Sequence, residues 1–274
     1  MQMPNFVRYL MVAPCVALLS LNLFAEEAED CSAHIFWQHG NVPILLTSPH
    51  GASRHKLLSA LPARQGVVNG EKVRFFVSRA DAKTDVVTHG IAEKLMSVGL
   101  RPFMVVAGIH RSQIDFNRAP NQAYDDERAI PCYTLYHQKV RQSVVAIRQQ
   151  WKYGFMLDVH GQSLFADEII RGTRNQKTIQ QLISRHGVDV SEAENGFYRQ
   201  LREMNYDVQP AVGGKERYYY GGYTLQRYGS HHANGIDALQ IEIGHKLRVN
   251  TDKRLRLIDD IAQALEDFYI AYYQ

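Results

Sequence analysis

Four stretches of the chain put polar side chains where an apolar run has just ended or where a core has no use for them. "VPILLTSPHG" presents His50 between a proline and a glycine. "RPFMVVAGIHRSQIDFNR" follows its apolar run with Arg111, Asp115, Asn117 and Arg118. "YGFMLDVHG" ends in Asp158 and His160, and "LQIEIG" holds Glu242 between Ile241 and Ile243. Neutral imidazole is a ready zinc ligand, and a catalytic zinc keeps three protein ligands and one open position for water. His50 and His160 are the candidate histidines. The acidic third ligand is sought in "SRADAKTDVV", where Asp81 lies in a loop and Asp85 in the first turn of an expected helix. Helix capping accounts for Asp85 by itself, so Asp81 is the favoured ligand and Asp85 the alternate.

The remaining polar groups suggest roles around such an ion. Asp158 stands two residues before His160 and is placed to orient an imidazole as an outer acceptor. A carboxylate flanked by isoleucines costs several kcal/mol to bury unpaired. Either strand alternation turns Glu242 to solvent, or it is a general base whose proton affinity is set by its surroundings. Guanidinium forks match carboxylates with paired hydrogen bonds. Arg111, Asn117 and Arg118 therefore suggest a substrate with a free carboxylate, with Asp115 holding one arginine in place. A surface salt-bridge cluster is the plainer alternative.

Other chemistries lack their residues. There is no G-x-S-x-G elbow, P-loop, G-x-G-x-x-G or H-E-x-x-H. No cysteine cluster suits a structural zinc. With 31 Lys and Arg against 28 Asp and Glu, the formal charge of +3 and the absence of a basic block argue against nucleic acid. Small molecules are the expected partners.

Four elements must bring these groups together. The runs 42–47, 101–108, 153–159 and 237–244 read as buried strands. Residues 84–99, 133–150, 177–186 and 251–273 have helical spacing, and 191–206 is a weaker helix interrupted by Gly196. Alternating strands and helices imply an α/β domain with a largely parallel or mixed sheet, whose ligands sit beyond the carboxyl ends of the strands. The Gly- and Tyr-rich segment 207–236 reads as an insertion near the site, with Tyr218–Tyr220 and Tyr223 expected either to line the pocket or, the favoured reading, to cover the core.

At the N-terminus, Arg8 precedes the apolar run 9–25, and four acids follow within five residues. This is the pattern of a secretory signal peptide over residues 1–25, cleaved after Ala25. The run is short and contains Pro14, which weighs against a retained anchor. Cleavage would leave one catalytic domain over 26–274, with no stable membrane insertion. Its two cysteines, Cys31 and Cys132, would then either form one bridge in an oxidising compartment or remain separate thiols.

Taken in order, "SPHG", "RADAKTD", "HRSQIDFNR", "DVHG", "GGYTLQRYG" and "LQIEIG" make the chain resemble the N-formylglutamate amidohydrolase family, relatives of the zinc carboxypeptidases, over about residues 44 to 248. The resemblance implies a three-layer, phosphorylase/hydrolase-like (zinc carboxypeptidase-like) α/β fold, a mixed sheet flanked by helices, with one catalytic Zn2+. It implies His50 and His160 as zinc ligands and Glu242 as the catalytic glutamate. It also implies that Asn117 and Arg118 grip a substrate carboxylate. Carboxypeptidases place a glutamate ligand three residues after the first histidine, and this chain has Ser53 there. The acid must then come from Asp81 or Asp85.

The expected activity is zinc-dependent hydrolysis of a C–N amide bond in a carboxylate-bearing N-acyl amino acid, N-formylglutamate-like, or in a small peptide. Zinc would sit on His50, Asp81 and His160, with Glu242 as base and Arg111 stabilising the oxyanion. The alternatives are an exported carboxypeptidase or cell-wall peptide amidase, periplasmic or extracellular, and a non-catalytic carboxylate-binding protein.

Overall fold

A computed structural model describes residues 31–51, 58, 61–68, 71–73 and 75–274. The expected signal peptide lies outside the described residues. The strands are β1 Ile35–Gln38, β2 Ile44–Ser48, β3 Val67–Val68, β4 Glu71–Lys72, β5 Phe103–Ala107, β6 Phe155–Gln162, β7 Ile169–Gly172, β8 Val208–Gln209 and β9 Asp237–Gly244. The helices are α1 Thr84–Ser97, α2 Pro120–Ala123, α3 Ile130–Trp151, α4 Gln180–His186, α5 Phe197–Glu203, α6 Tyr223–Tyr228, α7 His245–Val249 and α8 Thr251–Tyr272.

Seven strands form one mixed sheet in the order β1-β5-β2-β6-β9-β7-β8, and β3 and β4 pair separately. The central strands β5, β2, β6 and β9 run parallel, whereas β1 and β7 run antiparallel to β5 and β9. The parallel strands read as near-continuous apolar runs because helices cover both of their faces. Leu45, Phe103, Val105 and Met156 pack on one side with Tyr136, Val140, Val144 and Ile147 of α3. Ile44, Leu46, Met104 and Leu157 pack on the other with Ile91 and Leu95 of α1 and Ile261, Leu265 and Phe268 of α8. The three layers agree with the expected fold class.

The edges depart from the sequence expectation. β1, β7 and β8 are short strands with no clean alternation, and in β1 Phe36 and Trp37 remain 46% and 38% exposed. The expected helix over 191–206 divides into a 3-10 turn at Val190–Glu192 and α5, with Gly196 as the N-cap between them. Ala193 ends the turn and Gly196 opens α5, a break that a single helical period cannot show.

The connectivity creates a crevice. From β2 the chain passes through α1 to β5 on one side, and then through α3 to β6 on the other side of β2. The carboxyl ends of β2 and β6 therefore flank a switch in winding direction, the usual ligand position in such sheets. His50 lies just past the end of β2, and His160 lies near the end of β6.

Cys31 and Cys132 are joined as a disulfide with Cα atoms 5.0 Å apart, 101 residues apart in sequence. The bridge ties the segment ahead of β1 to the first turn of α3. Closing a loop of that length restricts the unfolded chain, so Cys132→Ser should lower the unfolding free energy by about 2–5 kcal/mol. Urea unfolding would show this as a lower midpoint at comparable slope. Equal midpoints for the two proteins would refute it.

Candidate metal and catalytic site

His50, Asp81 and His160 are all buried, and one ligand atom from each lies within 4.8 Å of the others. The two Nδ1 atoms converge on the same carboxylate oxygen: Asp81 Oδ2 is 3.3 Å from His50 and 3.2 Å from His160. The opposite ring nitrogens turn away toward other acids. His50 Nε2 lies 2.7 Å from Asp115 Oδ1, and His160 Nε2 lies 3.0 Å from Asp158 Oδ2. An Nε2–H held by a carboxylate leaves the Nδ1 lone pair free for a cation. Two such imidazoles and one carboxylate are the donor set of a three-ligand metal site. The residues present thus fit one metal ion held by His50, Asp81 and His160.

Local structure explains the placement of each donor. The Asp81 N–H donates to His50 O at 3.0 Å, and the Gly161 N–H donates to Asp81 Oδ2 at 3.2 Å. Buried Arg248 reaches across from α7 to the carbonyl of Ala82. The two His-Gly pairs follow from close packing. A Cβ on Gly51 would lie 2.5 Å from the Cβ of Asp85, and one on Gly161 would run into the Arg248 guanidinium. Of the two candidate acids, Asp81 enters the cluster, while Asp85 sits in the first turn of α1 behind Gly51.

The outer acids are themselves held. Asp158 Oδ1 accepts from Thr47 Oγ1 at 2.6 Å, from the residue opposite it in the β2–β6 register. Asp115 accepts from Arg111 Nε at 2.9 Å and from the Asn117 N–H at 3.0 Å, and Arg64 Nη2 lies 3.5 Å away. Burial works to raise the Asp115 pKa, but the charges of His50 and Arg111 outweigh it and hold the carboxyl well below its usual range. Asp81 follows the same logic: hydrogen bonds from His160 and His50 overcome burial and lower it. Burial lowers the His160 pKa, yet Asp158 and Asp81 leave it well above the usual value.

Glu242 is buried in β9 directly opposite His160 in the β6–β9 register, so the two side chains share a sheet face. The solvated alternative for Glu242 is thereby removed. Burial raises its pKa to about 8, opposed by the nearby His160 and Arg111 and reinforced by Asp81 and Asp158. Gln240 Nε2 donates to Glu242 Oε1 at 3.1 Å and to the Tyr219 carbonyl at 2.8 Å.

The loop after β5 brings Arg111 and Arg118 to the same place by different degrees. Arg111 Nη1 lies 3.6 Å from Asp81 Oδ1, beside the cluster. The Arg118 side chain is 32% exposed, with Nε 3.8 Å from Asp115 and Nη2 donating to Phe75 O at 3.3 Å. Asn117 is buried: its Oδ1 accepts from Thr224 N–H at 2.8 Å, and its Nδ2 lies 3.1 Å from His160 Nε2. Its carbonyl thus ties this loop to the start of α6, and its NH2 stands beside the histidine. Asp115 supports His50 as well as an arginine, and Arg64, Thr224 and Gln240 join without any spacing signal in the sequence. Tyr218, Tyr219 and Tyr220 are 60%, 40% and 42% exposed, so they do not cover the core as expected.

No protein-family profile and no curated protein matches the chain. Solved structures do. The N-formylglutamate amidohydrolase of Ralstonia eutropha JMP134 aligns over 88% of this chain and 98% of its own, with a TM-score of 0.60 and 17% identity. A gene product of Agrobacterium tumefaciens aligns over 90% and 98%, with a TM-score of 0.60 and 14% identity. The chain thus has the fold of an N-formylglutamate amidohydrolase, in agreement with the resemblance drawn from its motifs. Likeness at such low identity establishes the fold alone.

Two outcomes follow from this geometry. Asp115→Ala removes the acceptor that orients His50 and should weaken metal affinity by about 10–100-fold. Competition against a chelating dye measures it, and unchanged affinity would sink the role given to Asp115. The second concerns Glu242 in the metal-free protein. Its folded pKa lies above its unfolded one, so the folded state retains a proton that the unfolded state releases. Its contribution to stability should fall as pH rises from about 4.5 to about 8. Glu242→Gln should abolish that loss, so the stability difference between variant and wild type should grow with pH over this window. A pH-independent difference would contradict the assignment.

Proposed function

We propose that the protein is an amidohydrolase that uses one zinc ion to cleave the C–N amide bond of a carboxylate-bearing N-acyl amino acid or small peptide. The observation that carries this reading is Glu242, a buried carboxylate of raised proton affinity on the same sheet face as His160 of the His50–Asp81–His160 cluster. When bound there, zinc supplies a Lewis acid that makes water more acidic and a carbonyl more electrophilic.

The chain's own residues divide the remaining work. Glu242 accepts the proton of the attacking water and passes it to the leaving amine nitrogen. The Arg111 guanidinium, beside the cluster, faces the charge that develops on the acyl oxygen. Arg118 at the mouth takes the substrate carboxylate and fixes the scissile bond in register. The resemblance also gives Asn117 a share in that carboxylate. Its buried amide, tied to Thr224 and facing His160, favours holding the Arg118 loop in place.

N-formylglutamate is the first substrate suggested, from the structure the fold resembles. A second reading, an exported carboxypeptidase or cell-wall peptide amidase, draws support from the Cys31–Cys132 disulfide. Such bonds persist mainly in oxidising compartments, and the signal-like N-terminus agrees. Export to the periplasm or the extracellular space belongs to this proposal. No described helix is long and apolar enough to cross a membrane.

Glu242→Gln should reduce kcat on a cleaved N-acyl amino acid by about 10³-fold while zinc content stays at one per chain, within the usual contribution of one acid–base group. A chelator should abolish turnover in the wild type, and added zinc should restore it. Activity that survives complete metal removal rejects the metal reading. A pure carboxylate-binding protein would instead show no turnover and unchanged ligand affinity in the variant.

A further inference from the structure

A cleft of about 520 Å³ opens on the far side of Glu242 from the arginine loop. Phe165, Ile170 and Tyr218 wall it, and Lys215 and Arg217 line it, with Glu168 as the acid in the lining. Ile170 is the register partner of Glu242 across β7 and β9, so the two side chains leave the same sheet face about 5 Å apart. Tyr218 precedes Tyr219, whose carbonyl receives the Gln240 amide that also donates to Glu242. The cleft thus begins one strand away from the candidate catalytic carboxylate, on the same sheet face.

The two cations are held rather than loose. Between them stands Glu216, buried, accepting from Thr173 N–H at 2.9 Å, Thr173 Oγ1 at 2.7 Å and Asn175 N–H at 2.7 Å. This anchor roots the loop on the end of β7 and turns its neighbours Lys215 and Arg217 into the cleft. Both are exposed, and neither forms an ion pair among the described residues. Two unpaired cations above apolar walls match an extended arm carrying a carboxylate.

Strand order assigns the arm to one side of the scissile bond. Arg118 follows β5, the histidines lie at β2 and β6, Glu242 lies on β9 and the cleft begins at β7, in that spatial order. If Arg118 takes the carboxylate of the amine half, the acyl half must extend toward β7. We propose that the β7 cleft binds the acyl half of the substrate as an acidic peptidyl arm of about two residues, so that the protein releases a C-terminal amino acid from a short peptide with an acidic residue on its acyl side. This rests on the amidohydrolase reading above and names its substrate class. The reaction is a hydrolysis: the C–N bond breaks, water gives its oxygen to the acyl carbon, and its protons go to the new amine and carboxylate.

The test compares three substrates on the zinc-loaded protein: N-formylglutamate, N-acetyl-aspartyl-alanyl-glutamate and N-acetyl-asparaginyl-alanyl-glutamate. The acidic peptide should exceed both others in kcat/KM by about tenfold, the scale expected of two exposed ion pairs. Lys215→Glu with Arg217→Glu should erase or invert the preference for the acidic over the neutral peptide, while Lys215→Arg with Arg217→Lys should retain it. Equal rates on the two peptides, or a preference untouched by charge reversal, would overturn the cleft assignment and leave amide hydrolysis standing. If none of the three is cleaved, the amidohydrolase reading fails. Calorimetric binding of the two peptides to the zinc-loaded Glu242→Gln protein then decides the cleft separately: about tenfold tighter binding of the acidic peptide supports it, and equal affinities refute it.

Discussion

Everything in this site depends on the single Asp81 oxygen at which two imidazole Nδ1 atoms meet. Asp81, Asp115, Asp158 and Glu242 are all buried. A buried charge persists only when it is paired and hydrogen-bonded. Asp115 is balanced by His50 and the arginines, and Asp158 by Thr47 and His160. At Asp81, Arg111 stands 3.6 Å from one oxygen, and the balance at the other comes either from protons on the histidines or from a cation between them. A proton and a bound metal would compete for one point, so metal affinity at this cluster would depend on pH.

Glu242 differs from the three aspartates in what surrounds it. It forms no ion pair among the described residues, and its hydrogen bond comes from the neutral amide of Gln240. Burial therefore outweighs the nearby His160 and Arg111, and its proton affinity rises where those of Asp81 and Asp115 fall. Two kinds of carboxylate a few ångströms apart, one kind kept ionised and the other easily protonated, are the usual sign of divided roles. Strand register enforces the division, because His160 and Glu242 are paired across β6 and β9.

Much of this was legible in the sequence, for physical reasons. β2, β5, β6 and β9 are buried on both faces and so read as apolar runs, and α1, α3 and α8 are long enough to show a helical period. The polar residues that end those runs, His50, Asp158, His160 and Glu242, stood out because a core has no use for them. The choice of Asp81 over Asp85 rested on a cap argument, and the cluster contains Asp81. The burial of Asn117 was not legible. Its amide is fixed by Thr224, 107 residues further on, and no local spacing records such a contact. Arg64 beneath Asp115 is hidden for the same reason. The exposure of Tyr218–Tyr220 was misread because aromatic density suggests a core, whereas here the buried Glu216 anchors the loop and leaves the rings outside.

The same strand order bears on substrate size. Neighbouring strands lie about 4.8 Å apart. From β5 to β7 the order β5-β2-β6-β9-β7 spans four intervals, roughly 19 Å. On the proposed reading, an N-formyl amino acid would reach from the Arg118 side to the His50–Asp81–His160 cluster and stop. A ligand engaging both Arg118 and the cationic β7 cleft must be several residues long, at about 3.3 Å per extended residue. On the proposed reading, the positions of the cations, set by which strands their loops follow, bear on what the protein would bind as directly as the His50–Asp81–His160 cluster bears on what it would do to it.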